Sequence, residues 1–163
     1  MMNNILRFIN SLSLTFWIGS IFFFSLCAAP SIFKILPRNL AGDLVADIFP
    51  KYYLLGYVCG ILFLCSLVLL MLRGYESFSI INYLKLLLIV IMLGFSVYAG
   101  SVLRHQVSDA KTEMREQSEG TLNYRVIENR FKSLHRRSAI INVFVFVCGI
   151  AIVFINTYNY KVK

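Results

Sequence analysis

The chain of 163 residues contains two histidines, and a long polar segment separates them. His105 and His135 each lie fifteen residues from Gly120. Two antiparallel helices folded at that glycine would carry both rings to one level, ~22 Å from the turn. Imidazole is a suitable ligand for haem iron and for other metals. The spacing therefore supports one hypothesis, a haem- or metal-binding membrane redox protein with His105 and His135 as ligands.

The residues next to the two histidines are strongly basic, which favours a different interpretation of the histidines. Three arginines would repel a divalent cation there: Arg104, Arg136 and Arg137. Arginine matches phosphate geometry well, so contact with anionic headgroups is the stronger interpretation. The primary expectation is that the protein holds no cofactor.

Residues suited to catalysis do not form a recognisable constellation in this sequence. The four cysteines lie in apolar stretches without Cys-x-x-Cys spacing, and we interpret them as packing residues: Cys27, Cys59, Cys65 and Cys148. All eight acidic residues lie outside the apolar stretches, so no embedded carboxylate is available to orient a base or relay protons. We therefore predict no catalytic residue and a non-enzymatic protein.

Four apolar stretches supply the elements that must position these residues. They cover residues 6–29, 52–72, 80–103 and 139–158, and each reaches the ~20 residues that cross a hydrocarbon core. The composition, 58% hydrophobic and 15% charged, is that of a membrane protein. The prediction is an all-α integral membrane four-helix bundle, a single domain over residues 1–163. Pro30 follows the most plausible signal cleavage point, so the first span is expected to be retained.

The basic residues predict an orientation. Eleven of the 16 Lys and Arg residues fall in the first and third connections and five on the other side. Positively charged short loops stay in the cytoplasm, so both termini are predicted outside. Lys85, inside the third span, is expected to extend toward the interface. The net charge of +8 suits anionic headgroups of the cytoplasmic leaflet, and no nucleic-acid motif accompanies it. Expected partners are the lipid bilayer, other membrane subunits or a second copy.

The polar segment 104–137 keeps a helical spacing of apolar residues on both sides of its centre. Helices three and four are therefore predicted to extend into a cytoplasmic helical hairpin. It would turn at residues 118–121, where Gly120 can take a positive backbone angle and Thr121 can cap the next helix. Glu128 and Lys132 are predicted to form a surface ion pair.

The first connection predicts a short amphipathic helix, Leu40–Ile48, lying along the interface. Pro50 is predicted to begin the second span, where Tyr52 and Tyr53 suit an aromatic belt. Small and polar residues at helical spacing predict helix packing: Asn10, Ser13, Trp17 and Ser20; Gly56 and Gly60; Ser96 and Gly100; Ser138 and Asn142.

Two blocks of the sequence resemble a known family. The first runs from Ile35-Leu36-Pro37-Arg38-Asn39 through Gly42 to Ile48-Phe49-Pro50-Lys51-Tyr52-Tyr53, preceded by Trp17 and Gly19; the second is Phe131, His135, Ser138 and Asn142. Both are similar to the transmembrane protein 205-like family, also catalogued as domain of unknown function 4149. The resemblance implies a four-helix membrane protein with no established enzymatic activity. Ten residues of this chain match the motif positions of the family: Trp17, Gly19, Pro37, Arg38, Phe49, Pro50, Tyr53, His135, Ser138 and Asn142.

Together these features predict small-solute or lipid handling, or an accessory role in a membrane complex. The ligand-binding groups would cluster where the first and third connections meet the membrane: Arg38, His135, Arg136, Ser138 and Asn142. The redox protein with His105 and His135 is the alternative.

Overall fold

A computed structural model describes residues 2–118 and 120–160, including the side chains of all of these except Arg38 and residues 158–160. Across this part of the chain the fold is entirely helical, with no strand. The α-helices are α1 Met2–Phe23, α2 Ala29–Ile35, α3 Arg38–Leu72, α4 Ile80–Tyr98, α5 Arg104–Arg115 and α6 Leu122–Tyr160, and π-helical turns occupy Phe24–Ala28 and Ala99–Leu103.

These elements combine into four long helices, because the backbone stays helical across both π turns. Ala29 has φ −61° and ψ −48°, and Arg104 has φ −58° and ψ −44°. Met2–Ile35 and Ile80–Arg115 are therefore continuous, and the first turn of α2 accepts Pro30. All four helices are long and apolar enough to cross a membrane. The protein is a multi-pass integral membrane protein.

The second long helix differs from the sequence prediction. We predicted an interfacial helix Leu40–Ile48 and a new helix beginning at Pro50, but α3 runs unbroken from Arg38 to Leu72 with Pro50 inside it. Proline costs a hydrogen bond in a helix interior. Tertiary packing offsets that loss, because Ala41 and Val45 are buried. The predicted amphipathic helix is thus the first part of α3, and it projects beyond the apolar segment.

The turn between α5 and α6 follows the local chemistry predicted for it. Gly120 has φ +91°, a backbone angle that glycine adopts without steric cost. The hydroxyl oxygen of Thr121 accepts a hydrogen bond of 3.2 Å from the backbone N–H of Tyr124, which caps α6. Both predictions are confirmed. Across the pair, Arg130 of α6 forms a salt bridge of 3.1 Å with Glu113 of α5.

The bundle closes as a ring in which α1 packs on α3, α3 on α4, α4 on α6, and α6 on α1. An apolar layer fills its centre with side chains from every long helix, including Trp17, Phe63, Met92 and Ile152. Gly56 and Gly60 make room for Trp17: a Cβ atom would lie 2.9 Å from Trp17 Nε1 at Gly56 and 2.7 Å from Trp17 Cζ3 at Gly60. The predicted glycine pair therefore packs α3 against α1 within one chain.

Candidate functional site at the base of the hairpin

A group of aromatic rings surrounds the point where α3 enters the bundle. Phe49, Tyr52, Tyr53 and Tyr57 follow one another along α3, and the ring centroids of Tyr52 and Tyr53 are 5.2 Å apart. Phe24 of the first π turn joins them, at 5.5 Å from Phe49 and 5.3 Å from Tyr52. We call these five residues the aromatic cluster. It brings two positions carried over from the family resemblance, Phe49 and Tyr53, into one structural unit.

Hydrogen bonds join the aromatic cluster to α6 through two of the predicted ligand-binding residues. The hydroxyls of Tyr53 and Ser138 are 3.3 Å apart. The Tyr52 hydroxyl donates a long bond of 3.5 Å to Asn142 Oδ1. Ser138 and Asn142 lie one turn apart on α6, so both residues face α3. In this structure their polar groups link helices.

The third long helix approaches the aromatic cluster at its π turn. The Tyr57 hydroxyl donates to the Ser96 carbonyl oxygen at 3.2 Å. Gly100 faces the tyrosines closely: an added Cβ would overlap the Tyr57 hydroxyl and lie 2.8 Å from Cγ of Tyr53. Arg104 Nε donates to the Gly100 carbonyl oxygen at 3.0 Å, which holds the guanidinium at the end of the π turn. Two π turns therefore flank the cluster, and single π turns recur at functional sites.

The two histidines are both exposed. His135 stacks on Phe131 of its own helix, with ring centroids 6.3 Å apart and an interplanar angle of 9°. His105 Nε2 lies 3.3 Å from an Arg104 guanidinium nitrogen. Val107 and Ala110 pack toward α6, whereas His105 is ~140–200° around α5 from them. Each imidazole thus contacts a residue of its own long helix, and a ligand shared by His105 and His135 stays a prediction.

Acidic side chains near the hairpin mostly have basic partners. Asp43 of α3 bridges to Lys111 and Arg115 of α5, each at 2.7 Å. Two further bridges lie within single helices, Asp47–Lys51 at 2.8 Å and Glu128–Lys132 at 2.7 Å. The Glu128–Lys132 prediction is thus confirmed.

Two basic residues at the membrane end of the hairpin differ from those in the salt bridges above. Arg136 and Arg137 are exposed, and neither forms a salt bridge with the residues that the structure describes. They directly precede Ser138, where α6 meets the aromatic cluster. Together with Arg104 and His135 they form what we call the basic rim. This rim can contact an anion at the level where the apolar segments end.

Four of the five predicted ligand-binding residues lie in two separate groups. His135 and Arg136 lie in the basic rim, and Ser138 and Asn142 lie against the tyrosines. The Arg38 side chain falls outside the described residues. Sequence reasoning placed Arg104 at the level of the histidines but did not count it among the ligand-binding residues, and it did not include Phe24 or Tyr57. Their only sequence signal is an aromatic or basic residue at the end of an apolar stretch, which does not reveal their partners on other helices.

Comparisons with known proteins support a family assignment. The model for a domain of unknown function, DUF4149, matches residues 12–116. An uncharacterized protein of Aquifex aeolicus (strain VF5) is 44% identical over 45 residues, which cover 28% of this chain and 34% of that protein. No solved structure matches. Because the family model covers well over half of its length, the chain belongs to the DUF4149 family.

Proposed function

We propose that this protein handles lipids by binding anionic phospholipids through its basic rim. The proposal rests on how charged residues pair on the hairpin side of the bundle: four acidic residues are in ion pairs, and two arginines are outside these pairs. Asp43, Asp47, Glu113 and Glu128 all form ion pairs. Arg136 and Arg137 are exposed and outside these pairs. Positive charge is therefore available at the membrane boundary.

The chemistry of the rim suits a phosphodiester headgroup. Guanidinium groups bind phosphate oxygens with two parallel hydrogen bonds. Basic residues next to an anionic leaflet contribute about 1 kcal/mol each. The excess of Lys and Arg in the first and third connections supports a cytoplasmic position for the hairpin, where such a leaflet lies.

A shallow, open groove on the outer side of α4 is a candidate surface for a lipid acyl chain. It has a volume of about 300 Å³ and is lined by Ile91, Gly94, Phe95 and Tyr98. Gly94 leaves it open, because no atom lies within 4 Å of a Cβ added there. Tyr98 is six residues before Arg104, a rise of ~9 Å along the helix. An acyl chain in the groove would thus bring its headgroup to the level of the rim.

The apolar layer at the centre of the bundle favours lipid handling over passage of a polar solute. Phe63, Ile89, Met92 and Ile152 are fully buried there. A polar solute crossing this layer would lose its hydrogen bonds without replacement. A lipid bound from the side of the bundle does not meet that barrier.

The test compares two charge-matched double variants in detergent by native mass spectrometry, with phosphatidylglycerol and phosphatidylcholine as probes. Arg136→Ala/Arg137→Ala removes two rim charges, and Arg125→Ala/Lys132→Ala removes two charges nearer the hairpin tip. We expect the rim variant to bind phosphatidylglycerol about 30-fold more weakly, the effect of ~2 kcal/mol. Equal binding of the two lipids by the wild type, or equal losses in both variants, would refute the proposal.

A further inference from the structure

The first long helix is apolar over a greater length than α3, the helix on which it packs. Residues 8–33 contain no charged side chain, and neither do residues 52–72 of α3. At 1.5 Å per residue these two runs measure ~39 Å and ~32 Å, against about 30 Å for the hydrocarbon core. The first run is therefore too long to cross upright a bilayer that the second run fits.

The excess length lies at the hairpin end of the bundle. At the opposite end, Arg7 forms a salt bridge of 3.1 Å with Glu76, in the connection after α3, so the two apolar runs end at about the same level there. At the hairpin end, the ring centroid of Phe24 lies 5.3 Å from that of Tyr52, where the run of α3 begins. The first long helix continues beyond this contact as residues 24–35, which we call the apolar extension.

The apolar extension has little cover from the rest of the bundle. None of its twelve residues, all of which the structure describes, is buried. Although α2 packs on α3, Leu26 is 62% exposed, Phe33 46% and Ile35 78%. Full burial of such a side chain contributes about 1.5–3 kcal/mol. The extension is therefore more stable in apolar surroundings than in water.

The exposed surface of the extension continues the surface that α1 presents to the bilayer. Phe8, Phe16 and Phe22 of α1 are each at least half exposed, and the backbone stays helical from α1 into α2. No charged residue interrupts this surface between residues 8 and 33. Lys34, near its end, is exposed, and a basic residue there suits anionic headgroups. Continuity and charge both favour lipid as the material that covers the extension.

We propose that the apolar extension is inserted among the acyl chains of the leaflet on the hairpin side, with Lys34 at the headgroups. Bilayers accommodate a long apolar helix through tilt of the helix and local thickening. The first long helix is diagonally opposite the third in the ring of helix contacts. A tilt toward the first helix therefore lowers the extension into the leaflet and raises α5 away from it. Lipid surrounds one side of this end of the molecule, and water surrounds the other.

Two serines provide matched positions for spin labels on the two sides. Ser31 lies on the apolar extension and Ser108 on α5, and both are exposed. Ser31 and Gly42 are each five residues from the connection 36–37, and Gly42 faces Lys111 of α5, about one turn from Ser108. The two serines are therefore at similar levels along the bundle. Ser31→Cys and Ser108→Cys are labelled singly, with the four native cysteines replaced by alanine.

The test is electron paramagnetic resonance in vesicles of phosphatidylcholine, with oxygen and a water-soluble nickel chelate as relaxing reagents. We expect the ratio of oxygen to nickel accessibility to be on the order of tenfold higher at position 31 than at position 108, because a polar complex is excluded from hydrocarbon. Equal ratios would place the extension in water and overturn the proposal. A label at position 31 that is shielded from both reagents, or broadened by a second label, would show instead that a second copy covers the extension.

A second measurement keeps the native cysteines, in case their replacement prevents folding. Ser31→Trp and Ser108→Trp are compared for fluorescence quenching by brominated phosphatidylcholine. Trp17 is buried and common to both variants, so the difference reports the added residue. Stronger quenching is expected in Ser31→Trp, and equal quenching would contradict insertion. Phosphatidylcholine has no net charge, so neither measurement depends on binding of anionic lipid at the basic rim.

Discussion

At Gly100 the third long helix meets the tyrosines of α3 with no side chain between them. An added Cβ would overlap the Tyr57 hydroxyl and lie 2.8 Å from Cγ of Tyr53. Gly94 lies on the same helix, six residues earlier, and faces open space. The same residue type therefore has two roles, a close helix contact at Gly100 and an open groove at Gly94. The sequence spacing of Ser96 and Gly100 predicted a packing face, but the spacing does not identify the partner helix.

Gly100→Ala should destabilise the protein, whereas Gly94→Ala should not. Overpacking at a close contact costs about 1–3 kcal/mol. Alanine in an open helical position instead gains roughly 0.5–1 kcal/mol over glycine. Thermal unfolding in detergent, followed by circular dichroism, measures both effects. Equal shifts of the melting temperature would show that the close contact at Gly100 contributes nothing.

The first part of α3 shows how packing between elements determines a helix that local chemistry would end. Pro50 predicts a helix start, yet α3 continues on both sides of it. Ala41 is fully buried, and so is Ala110 of α5. Asp43 bridges to Lys111 and Arg115 of α5. Local sequence patterns do not reveal these contacts, because the residues are 68 and 72 positions apart. The turn at Gly120 and Thr121, in contrast, depends only on neighbours in sequence and could be predicted.

Asp43→Asn should loosen the first turns of α3 from α5, and Asp47→Asn should leave them docked. Asp43 bonds to α5, whereas Asp47 bonds to Lys51 on its own helix. The measurement is the distance distribution between spin labels at the exposed positions Leu44 and Glu116, by pulsed electron resonance. Similar broadening in both variants would exclude a specific role for the bridges of Asp43.

The same bridge has a defined pH dependence. Hydrogen bonds from Lys111 and Arg115 lower the pKa of Asp43, which lies outside the apolar segment, below its ordinary value of 3.8. A lowered pKa in the folded state means that the bridge stabilises docking fully above the ordinary value. The contribution is lost as the pH falls through the lowered pKa. The wild-type distance distribution should therefore broaden only in that acidic range.

At the scale of the whole molecule, the apolar layer separates two polar ends with different chemistry. The basic rim and aromatic cluster lie at one end, and four buried polar residues lie at the other: Asn10, Ser66, Asn82 and Lys85. The four long helices could be predicted from composition and apolar length alone. The burial of Lys85, which the sequence analysis expected to extend toward the interface, could not be predicted, because it depends on how α4 packs on α3 and α6.

Orientation in the membrane is tested with single cysteines in a background where the four native cysteines are replaced by alanine. We expect Ser77→Cys, in the connection between α3 and α4, to react with a membrane-impermeant maleimide in intact cells. Ser118→Cys, near the hairpin turn, should react only after the membrane is opened. This result follows from the excess of basic residues around the hairpin. The reverse labelling would place the hairpin outside and remove the anionic cytoplasmic leaflet as the source of its lipid.

The continuity of Ile80–Arg115 also has a mechanical consequence. At 1.5 Å per residue, the twelve residues Arg104–Arg115 extend ~18 Å beyond the apolar segment. The backbone stays helical across the π turn, so the hairpin has no flexible joint at its base. A tilt of the bundle by ~20°, common for membrane helices, would therefore move the tip about 6 Å sideways relative to the base. A stiff hairpin of this length would thus convert any change in the tilt of the bundle into a lateral displacement of its tip.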